Sequence, residues 1–259
     1  MREAPDLGLL IEAARAAGPV AMRHFRASPR SWDKAGDQGP VSEADLEVNA
    51  VLEAHLRGAR PDYGWLSEES EEDPARLTAE RVFIVDPIDG TRAFLQGTSA
   101  FSHALAVVHN GVVEAAVVYL PAQERLYAAA LGAGATLNGA PIHVSGAQSL
   151  TGADVLATKP TFLPDHWPGG VPDVNRAHRP SLAYRLCLVA QGRFDALVTV
   201  RDAWEWDIAA GCLIAAEAGG IATDATGAPI RFNARWPRHP GCFAAPRQIH
   251  AALMRHRGG

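Results

Sequence analysis

The sequence has few cysteines: Cys187, Cys212 and Cys242 are the only three in 259 residues. Thiols this scattered argue against a disulfide framework or a zinc ribbon. No run of about 20 apolar residues occurs, so no membrane span is predicted. The net charge of −5 gives no basic field for nucleic acid, and the start resembles an amphipathic helix more than a signal peptide. We therefore expect a cytoplasmic protein without membrane or nucleic-acid partners.

What the sequence does contain is apolar residues, 47% of the chain, which suffice to bury a full core. Their spacing predicts a helix near the N-terminus and a second in "SEADLEVNAVLEAHL", which begins at a capping box of Ser42 and Asp45. The turn-rich stretch "SPRSWDKAGDQGP" lies between these helices. "RVFIVD" predicts a buried strand, and two strand pairs are predicted to turn at residues 109–111 and 138–139.

The second half of the chain has a looser pattern to about residue 175. A helix, a strand, a helix and a short strand then follow, in "SLAYRLCLVAQG", "FDALVTV", "DIAAGCLIAAEAGG" and "GCFAAP". This order predicts a layered α+β or α/β fold. We expect residues 1–135 to form an N-terminal α+β half with most of the candidate metal ligands. Residues 136–259 then form a C-terminal α/β half with Asp207 and the substrate-specificity residues.

The stretch "VFIVDPIDGTRAF", residues 82–94, admits two interpretations. Asp-Gly after an apolar run is a strong hairpin signal, and the preceding Pro87 stiffens the chain. Alternatively, Pro87 lets Asp86 and Asp89 face one point together with the Ile88 carbonyl. Gly90 then admits a phosphate close to the backbone, and a helix starting at residue 91 offers free N–H groups.

Other acids in the chain favour the second interpretation. Glu68 and Glu69 occur in "GWLSEESEED", Asp207 in "WEWDIAAG" and Asp45 in "PVSEAD". Each has a structural alternative, because the glutamates can be a solvated charge run and the two aspartates can cap helices. Carboxylates gathered where they are partly desolvated repel one another unless cations neutralise them. Oxygen ligands without histidine or cysteine select Mg²⁺, Mn²⁺ or Ca²⁺, which indicates metal-assisted hydrolysis of a phosphate ester.

These motifs carry a resemblance that covers nearly the whole chain in order: "PVSEAD", "WLSEES", "VDPIDGTRAF", "YRLCLVAQGRFDALV" and "WEWDIAAGCLIAAEAGG". The chain resembles the inositol monophosphatase superfamily of Mg²⁺-dependent, lithium-sensitive phosphatases. The resemblance implies the layered αβαβα sandwich of the inositol monophosphatase and fructose-1,6-bisphosphatase type, commonly as a homodimer. It also implies a phosphoric monoester hydrolase that acts on a small phosphorylated metabolite.

The resemblance further implies a set of metal ligands. Glu68, Asp86 and the Ile88 carbonyl would hold a first Mg²⁺. Asp86 would also bridge to a second Mg²⁺, held with Asp89 and Asp207. A third, weaker Mg²⁺ would lie near Glu68, which gives two or three ions per site, with Mn²⁺ as a substitute.

The same resemblance assigns roles in catalysis and substrate binding. Thr91, hydrogen-bonded to Asp45, would help to deprotonate the attacking water, and Glu69 is a further catalytic candidate. The backbone N–H groups of Gly90 and Thr91 would receive the phosphate. The remaining substrate-binding candidates are Arg92, Lys34 and Arg185.

The substrate is less well defined by the residues. Inositol monophosphatases typically carry a glutamate seven residues before the Trp-Asp aspartate, where this chain has Val200. The family's Gly-Ser before "CLVA" also differs, since this chain has Ser181 followed by Leu182. "EADLEVN", "CLVAQG" and "EWDIAAG" are more similar to the 3'(2'),5'-bisphosphate nucleotidases, which favours the 3'-phosphate of adenosine 3',5'-bisphosphate as the bond cleaved.

A bisphosphate substrate needs a cation for its second phosphate, and arginine suits that contact best. The candidates are Arg92, Lys159, Arg185 and Arg201. Other substrates stay open: inositol 1-phosphate, and histidinol phosphate because "DGTRAF" also occurs in histidinol-phosphate phosphatases. A protein of another class, a non-catalytic metal- or phosphate-binding regulator on the same fold, is the remaining alternative.

Overall fold

The computed structural model describes residues 6–34 and 39–258. The first residues of the predicted N-terminal helix and residues 35–38 of the turn-rich stretch lie outside this part. The helices in the described part are α1 (Leu7–His24), α2 (Glu43–Ala59), α3 (Thr91–Leu95), α4 (Leu182–Ala190), α5 (Glu205–Glu217) and α6 (Arg247–Arg257).

The largest sheet contains seven strands in sequence order. Its members are β3 (Gly64–Ser67), β4 (Arg81–Asp89), β5 (Ser102–His109), β6 (Val112–Leu120), β7 (Arg125–Ala130), β8 (Gly134–Leu137) and β9 (Ala140–Pro141). Only the first pair, β3 with β4, is parallel, and every later pair is antiparallel. A short antiparallel ribbon, β1 (Ser31–Asp33) with β2 (Pro40–Ser42), precedes this sheet.

A second sheet of five strands lies further along the chain. It has the spatial order β11-β10-β12-β16-β14, and its strands are β10 (Asp154–Leu156), β11 (Asn175–Ala177), β12 (Ala196–Thr199), β14 (Ile221–Thr223) and β16 (Cys242–Ala245). A separate two-stranded sheet consists of β13 (Ala203–Trp204) and β15 (Arg238–His239), which pair antiparallel. Strand β13 directly precedes α5.

The elements stack as five layers with apolar cores between them. Helices α1 and α2 cover one face of the large sheet, and α4 and α5 separate its other face from the small sheet. Helix α6 covers the outer face of the small sheet. Strand β4 is buried on both faces, with Phe83 and Val85 toward α2 and Val82 and Ile84 toward α5. The predicted layered αβαβα sandwich is confirmed.

Several local predictions are confirmed as well. The strands β5 and β6 turn at residues 110–111, and α2 begins where the capping box predicts, with the Ser42 N–H donating to Asp45 Oδ2 at 2.8 Å. The quoted stretch is not a hairpin: β4 ends at Asp89 and the chain enters α3 at Thr91. Among the described helices, none has both the length and the apolar composition to span a bilayer.

Other local predictions are wrong in part. The predicted turn at residues 138–139 is present, but the segment from residue 125 to 141 makes three strands instead of two, because a second tight turn at 131–133 precedes the Asn-Gly turn. The stretch before residue 175 contains β10, which is too short to give a periodic signal. Helix α6 is missed altogether, since only Ile249, His250 and Leu253 are buried on it.

Candidate metal centre and cleft

Three acids from distant parts of the chain meet at one edge of the large sheet. Glu68 follows the end of β3, Asp86 lies near the end of β4, and Asp207 lies in the first turn of α5. Because β3 and β4 are parallel neighbours, their carboxyl ends meet at the same edge. One carboxylate oxygen from each acid lies within 4.8 Å of the others. This grouping is what a shared cation site requires.

Asp86 is the most unusual member of this group. Its side chain is 1% exposed, and neither of its oxygens has a hydrogen-bond partner among the described residues. Burial raises the pKa of Asp86 well above its ordinary value, and the charges of Glu68, Asp89 and Asp207 raise this pKa further. A buried, unpaired carboxylate is unfavourable unless a proton or a cation compensates it. Asp86 therefore marks the centre of the site.

The other two members share this electrostatic situation. Burial raises the pKa of Asp207 well above its ordinary value, with Asp89 and Glu68 adding repulsion. Burial also raises the pKa of Glu68, partly offset by the Lys34 ammonium, whose Nζ lies 2.9 Å from Glu68 Oε1. All ligand atoms here are carboxylate oxygens, so the donor set suits Mg²⁺, Mn²⁺ or Ca²⁺.

Asp89 stands slightly apart from the three acids. It lines the same cleft, but its Oδ2 accepts hydrogen bonds from the Ser181 hydroxyl at 2.7 Å and the Ala183 N–H at 2.6 Å. Burial raises the pKa of Asp89, and the Ser181 hydrogen bond opposes that rise. One oxygen of Asp89 is thus held by α4 while the other stays available to a ligand.

The residue after Asp89 shows why glycine is needed at the entrance to α3. Gly90 has φ +99°, a left-handed conformation that favours glycine. A Cβ there would also lie 3.3 Å from the Ala100 carbonyl oxygen and 3.4 Å from Ser181. The backbone can therefore turn sharply from strand to helix within one residue.

Thr91 and Asp45 are placed together at this turn. The Thr91 hydroxyl oxygen lies 3.0 Å from Asp45 Oδ1 and 3.1 Å from the Ile88 carbonyl oxygen. Asp45 is buried and also accepts a hydrogen bond from the Ser42 hydroxyl at 2.6 Å. Burial raises the pKa of Asp45, and its hydrogen bonds lower it. This arrangement can take a proton from a water at the threonine oxygen.

Lys34 and Glu69 form the outer edge of the acidic group. Lys34 Nζ lies 2.6 Å from Glu69 Oε1 as well as close to Glu68. Burial raises the pKa of Glu69 to about 7, and the neighbouring Glu68 charge adds to this rise. Glu69 is not among the described residues that line the cleft. It faces the ammonium of Lys34.

A cleft of about 550 Å³ opens above these acids. The cationic candidates Arg92, Arg185 and Arg201 line it, and Lys159 is not among its described lining residues. Thr199 and Arg201 face the cleft, whereas Val200 between them packs against the core beneath α6. The cleft is large enough for a small phosphorylated metabolite.

Two contributors to the site have no clear signal in the sequence. His178 lines the cleft from the loop before α4. Ser181 caps α4 and fixes Asp89, in a left-handed conformation with φ 62° that is unusual for serine. The helix start after Pro180 could have indicated a capping serine, but not its contact with Asp89, 92 residues away.

Comparison with known proteins gives a consistent result. A family model described as "Inositol monophosphatase family" matches residues 4–258. An inositol-1-monophosphatase from Rhizobium meliloti is 36% identical over 232 residues, which cover 85% of this chain and 86% of that protein. A histidinol-phosphatase from Chlorobaculum parvum is 34% identical over 230 residues, covering 86% and 87% of the two chains.

A Nus factor and a solved structure are similar too. The Nus factor SuhB of Pseudomonas aeruginosa is 33% identical over 243 residues, covering 86% of each chain. The structure of the Thermotoga maritima IMPase superposes with a TM-score of 0.84 at 31% identity, covering 97% of this chain and 96% of that one.

Proposed function

The chain belongs to the inositol monophosphatase family of phosphatases, and from this premise we propose a Mg²⁺-dependent phosphomonoesterase whose metal centre contains Glu68, Asp86 and Asp207. The observation that carries the proposal is the unpaired Asp86 carboxylate beneath the cleft. A buried carboxylate that lacks donors needs a proton or a cation, and the three grouped ligand residues are all carboxylates, which suit Mg²⁺ better than a softer metal.

The proposed ligands have separate tasks. Glu68, Asp86 and Asp207 supply carboxylate oxygens, Ile88 a carbonyl oxygen, and Asp89 the oxygen that Ser181 and Ala183 leave available. The chemistry that bound Mg²⁺ supplies is Lewis acidity toward phosphate and water oxygens. The backbone N–H groups at Gly90 and Thr91, where α3 begins, would receive the phosphate oxygens.

Thr91 and Asp45 move the proton in this scheme. The threonine oxygen would accept a hydrogen bond from the attacking water while its own proton points to Asp45 Oδ1, 3.0 Å away. Asp45 can take up that proton because burial raises its pKa. Lys34 and Glu69 lie next to these groups, because the Lys34 ammonium contacts both Glu68 and Glu69. Together they contribute a positive and a negative side chain beside the metal centre.

The substrate that we propose is adenosine 3',5'-bisphosphate. Its second phosphate needs cations outside the metal centre, and Arg185 and Arg201 line the same cleft as the acids. Arginine forms bidentate contacts with phosphate. Val200, in the place of the family's inositol-contacting glutamate, packs against the core, and its apolar side chain contributes no acceptor for inositol hydroxyls.

Two other candidates are favoured by particular relatives. The names inositol-1-monophosphatase and histidinol-phosphatase, given to relatives 36% and 34% identical, favour inositol 1-phosphate and histidinol phosphate as substrates. The similarity to a Nus factor favours a non-catalytic regulator. A homodimer in the cytoplasm belongs to our proposal as well, and a monomer mass in sedimentation equilibrium would contradict its oligomeric part.

Phosphate release with Mg²⁺ tests these candidates directly. We expect the highest kcat/KM for adenosine 3',5'-bisphosphate over inositol 1-phosphate and histidinol phosphate. Replacing Arg201 with Gln should lower kcat/KM for the bisphosphate about 10- to 100-fold, the equivalent of one charge-assisted contact, and leave adenosine 3'-phosphate nearly unchanged. Lys159→Gln, outside the cleft, is the matched control.

Each outcome of this panel has a distinct meaning. A preference for inositol 1-phosphate or histidinol phosphate would overturn the bisphosphate assignment and keep the phosphatase. No phosphate release from any ester would favour the regulator. Equal losses for both adenosine nucleotides in Arg201→Gln would show that this arginine does not contact the second phosphate.

A further inference from the structure

His103, in the middle of the large sheet, is a buried titratable residue to which the proposed chemistry assigns no role. It is 0% exposed and lies on β5 beside Tyr119, with 6.2 Å between the ring centroids. Its Nδ1 lies 2.5 Å from the Pro87 carbonyl oxygen. Its Nε2 has no hydrogen-bond partner in the described ranges 6–34 and 39–258. A polar ring at this position therefore makes a single specific contact.

The contact falls where the ladder between β4 and β5 is interrupted. Asp86 lies opposite Ala104 and Asp89 opposite Ser102, so β4 has one more residue than β5 between these two pairs. Such a bulge leaves backbone groups without ladder partners and redirects the strand. Pro87 lies within the bulge and has no N–H of its own. The His103 side chain supplies a donor that the neighbouring strand does not.

At pH 7 the ring serves as that donor in its neutral form. Burial lowers the pKa of His103 to about 4, so the imidazole is neutral at pH 7 and carries one proton. A carbonyl oxygen can only accept a hydrogen bond, so the proton is on Nδ1. The neutral ring therefore donates to Pro87 without adding a charge beside the acids.

The anchored carbonyl lies between the groups of the metal centre. Asp86 precedes Pro87, and Ile88 follows it with a carbonyl oxygen 3.1 Å from the Thr91 hydroxyl. Both Asp86 and Ile88 line the cleft, whereas His103 is not among the described lining residues and contacts the Pro87 carbonyl between them. Fixing the Pro87 peptide thus fixes the direction of the ligand atoms on either side of it.

We propose that His103 is a positioning residue for the metal centre, which holds the bulge of β4 so that the Asp86 carboxylate and the Ile88 carbonyl converge on one cation. This inference rests on the proposed function in one respect, namely that these oxygens bind Mg²⁺. It concerns metal affinity, so it can be measured without any substrate.

The test uses three variants of similar size. Asn at position 103 can place an amide N–H where Nδ1 lies, Gln places its amide where Nε2 lies, and Leu provides no donor. Titration calorimetry with Mg²⁺ alone should give His103→Leu and His103→Gln a Kd about 10- to 100-fold above that of the wild type, the range for residues that orient metal ligands. His103→Asn should stay within about threefold of the wild type.

The variants also separate positioning from packing. Thermal unfolding without Mg²⁺ measures how much stability each variant loses. If His103 only filled space, the Mg²⁺ Kd would depend on side-chain shape, and His103→Asn would bind Mg²⁺ no better than His103→Leu. The inference is overturned if His103→Leu and His103→Gln bind Mg²⁺ as tightly as the wild type, or if His103→Asn is as weak as they are. A wild-type protein that binds no Mg²⁺ would overturn the proposed function itself, and this role of His103 with it.

Discussion

Two buried carboxylates in this protein, those of Asp86 and Glu205, differ in the hydrogen bonds that they accept. Asp86 and Glu205 are 1% and 0% exposed. Glu205 accepts hydrogen bonds from the backbone N–H groups of Asn233 at 2.6 Å and Ala234 at 2.9 Å. Asp86 accepts none from any residue of the described part. Burial alone therefore does not distinguish a structural acid from a functional one, whereas the presence of donors does.

The surroundings of Glu205 show what a structural role involves. The loop that it holds is bound from its other side by Arg76, whose Nη1 donates to Asn233 Oδ1 at 2.7 Å and to the Ala234 carbonyl at 3.0 Å. The loop thus lies between two buried side chains of opposite type, and both form hydrogen bonds to it. Around Asp86 the neighbours are instead Glu68, Asp89 and Asp207, which repel it. A proton or a cation must compensate the second arrangement, and a divalent cation can neutralise several of these carboxylates at once.

The largest effect should come from replacing Asp86 with Asn. This change removes a ligand, and loss of several kcal/mol of transition-state stabilisation corresponds to at least about 10³-fold in kcat/KM. Without Mg²⁺ the variant should unfold at a higher temperature than the wild type, because the repulsion among the acids decreases. Mg²⁺ should raise the unfolding temperature of the wild type and have little effect on the variant.

Asp89→Asn serves as the matched variant, since Asp89 is partly satisfied by Ser181 and Ala183. It should also abolish turnover and leave the fold intact, with a smaller gain in metal-free stability than Asp86→Asn. Unchanged turnover in either variant, measured by phosphate release, would remove that aspartate from the metal centre.

The next largest effect is expected for Thr91, whose hydroxyl donates a hydrogen bond to Asp45. Asp45, unlike Asp86, is a buried acid that accepts hydrogen bonds from the described residues. Thr91→Ala should lower kcat about 100-fold, as loss of a positioned proton acceptor does, while the Mg²⁺ Kd changes little. Thr91→Ser, which retains the hydroxyl, is the control and should keep most of the rate. Wild-type kcat in Thr91→Ala would exclude the threonine from proton transfer.

Much of this site could be predicted from the sequence, because its signals are local. "DPIDGT" encodes a strand end and a helix start within six residues, and Ser42 with Asp45 encodes a helix start. The layered fold also follows from the order of apolar patterns. These features depend on backbone preferences and burial that neighbouring residues determine.

The remainder depends on contacts between distant segments, which periodicity does not reveal. Ser181 reaches Asp89 only because α4 packs against the end of β4, and His103 meets Pro87 only through strand pairing. Lys34 lies against Glu68 and Glu69, 34 and 35 residues further on. Glu205 shows the same limit, since nothing in "WEWDIAAG" indicates that its carboxylate binds a loop near residue 233.

Glu205 therefore provides the variant with the smallest expected effect on turnover and a large one on stability. Glu205→Ala leaves two buried N–H groups without acceptors and should lower the free energy of unfolding by about 2–4 kcal/mol. Glu205→Gln keeps one acceptor oxygen and should lose less. In both, the Mg²⁺ Kd of the folded protein should stay close to the wild-type value, because Asp207 keeps its place in α5. If Glu205→Ala instead lost turnover at unchanged stability, measured by urea unfolding and phosphate release, the donors around a buried acid would no longer indicate its role.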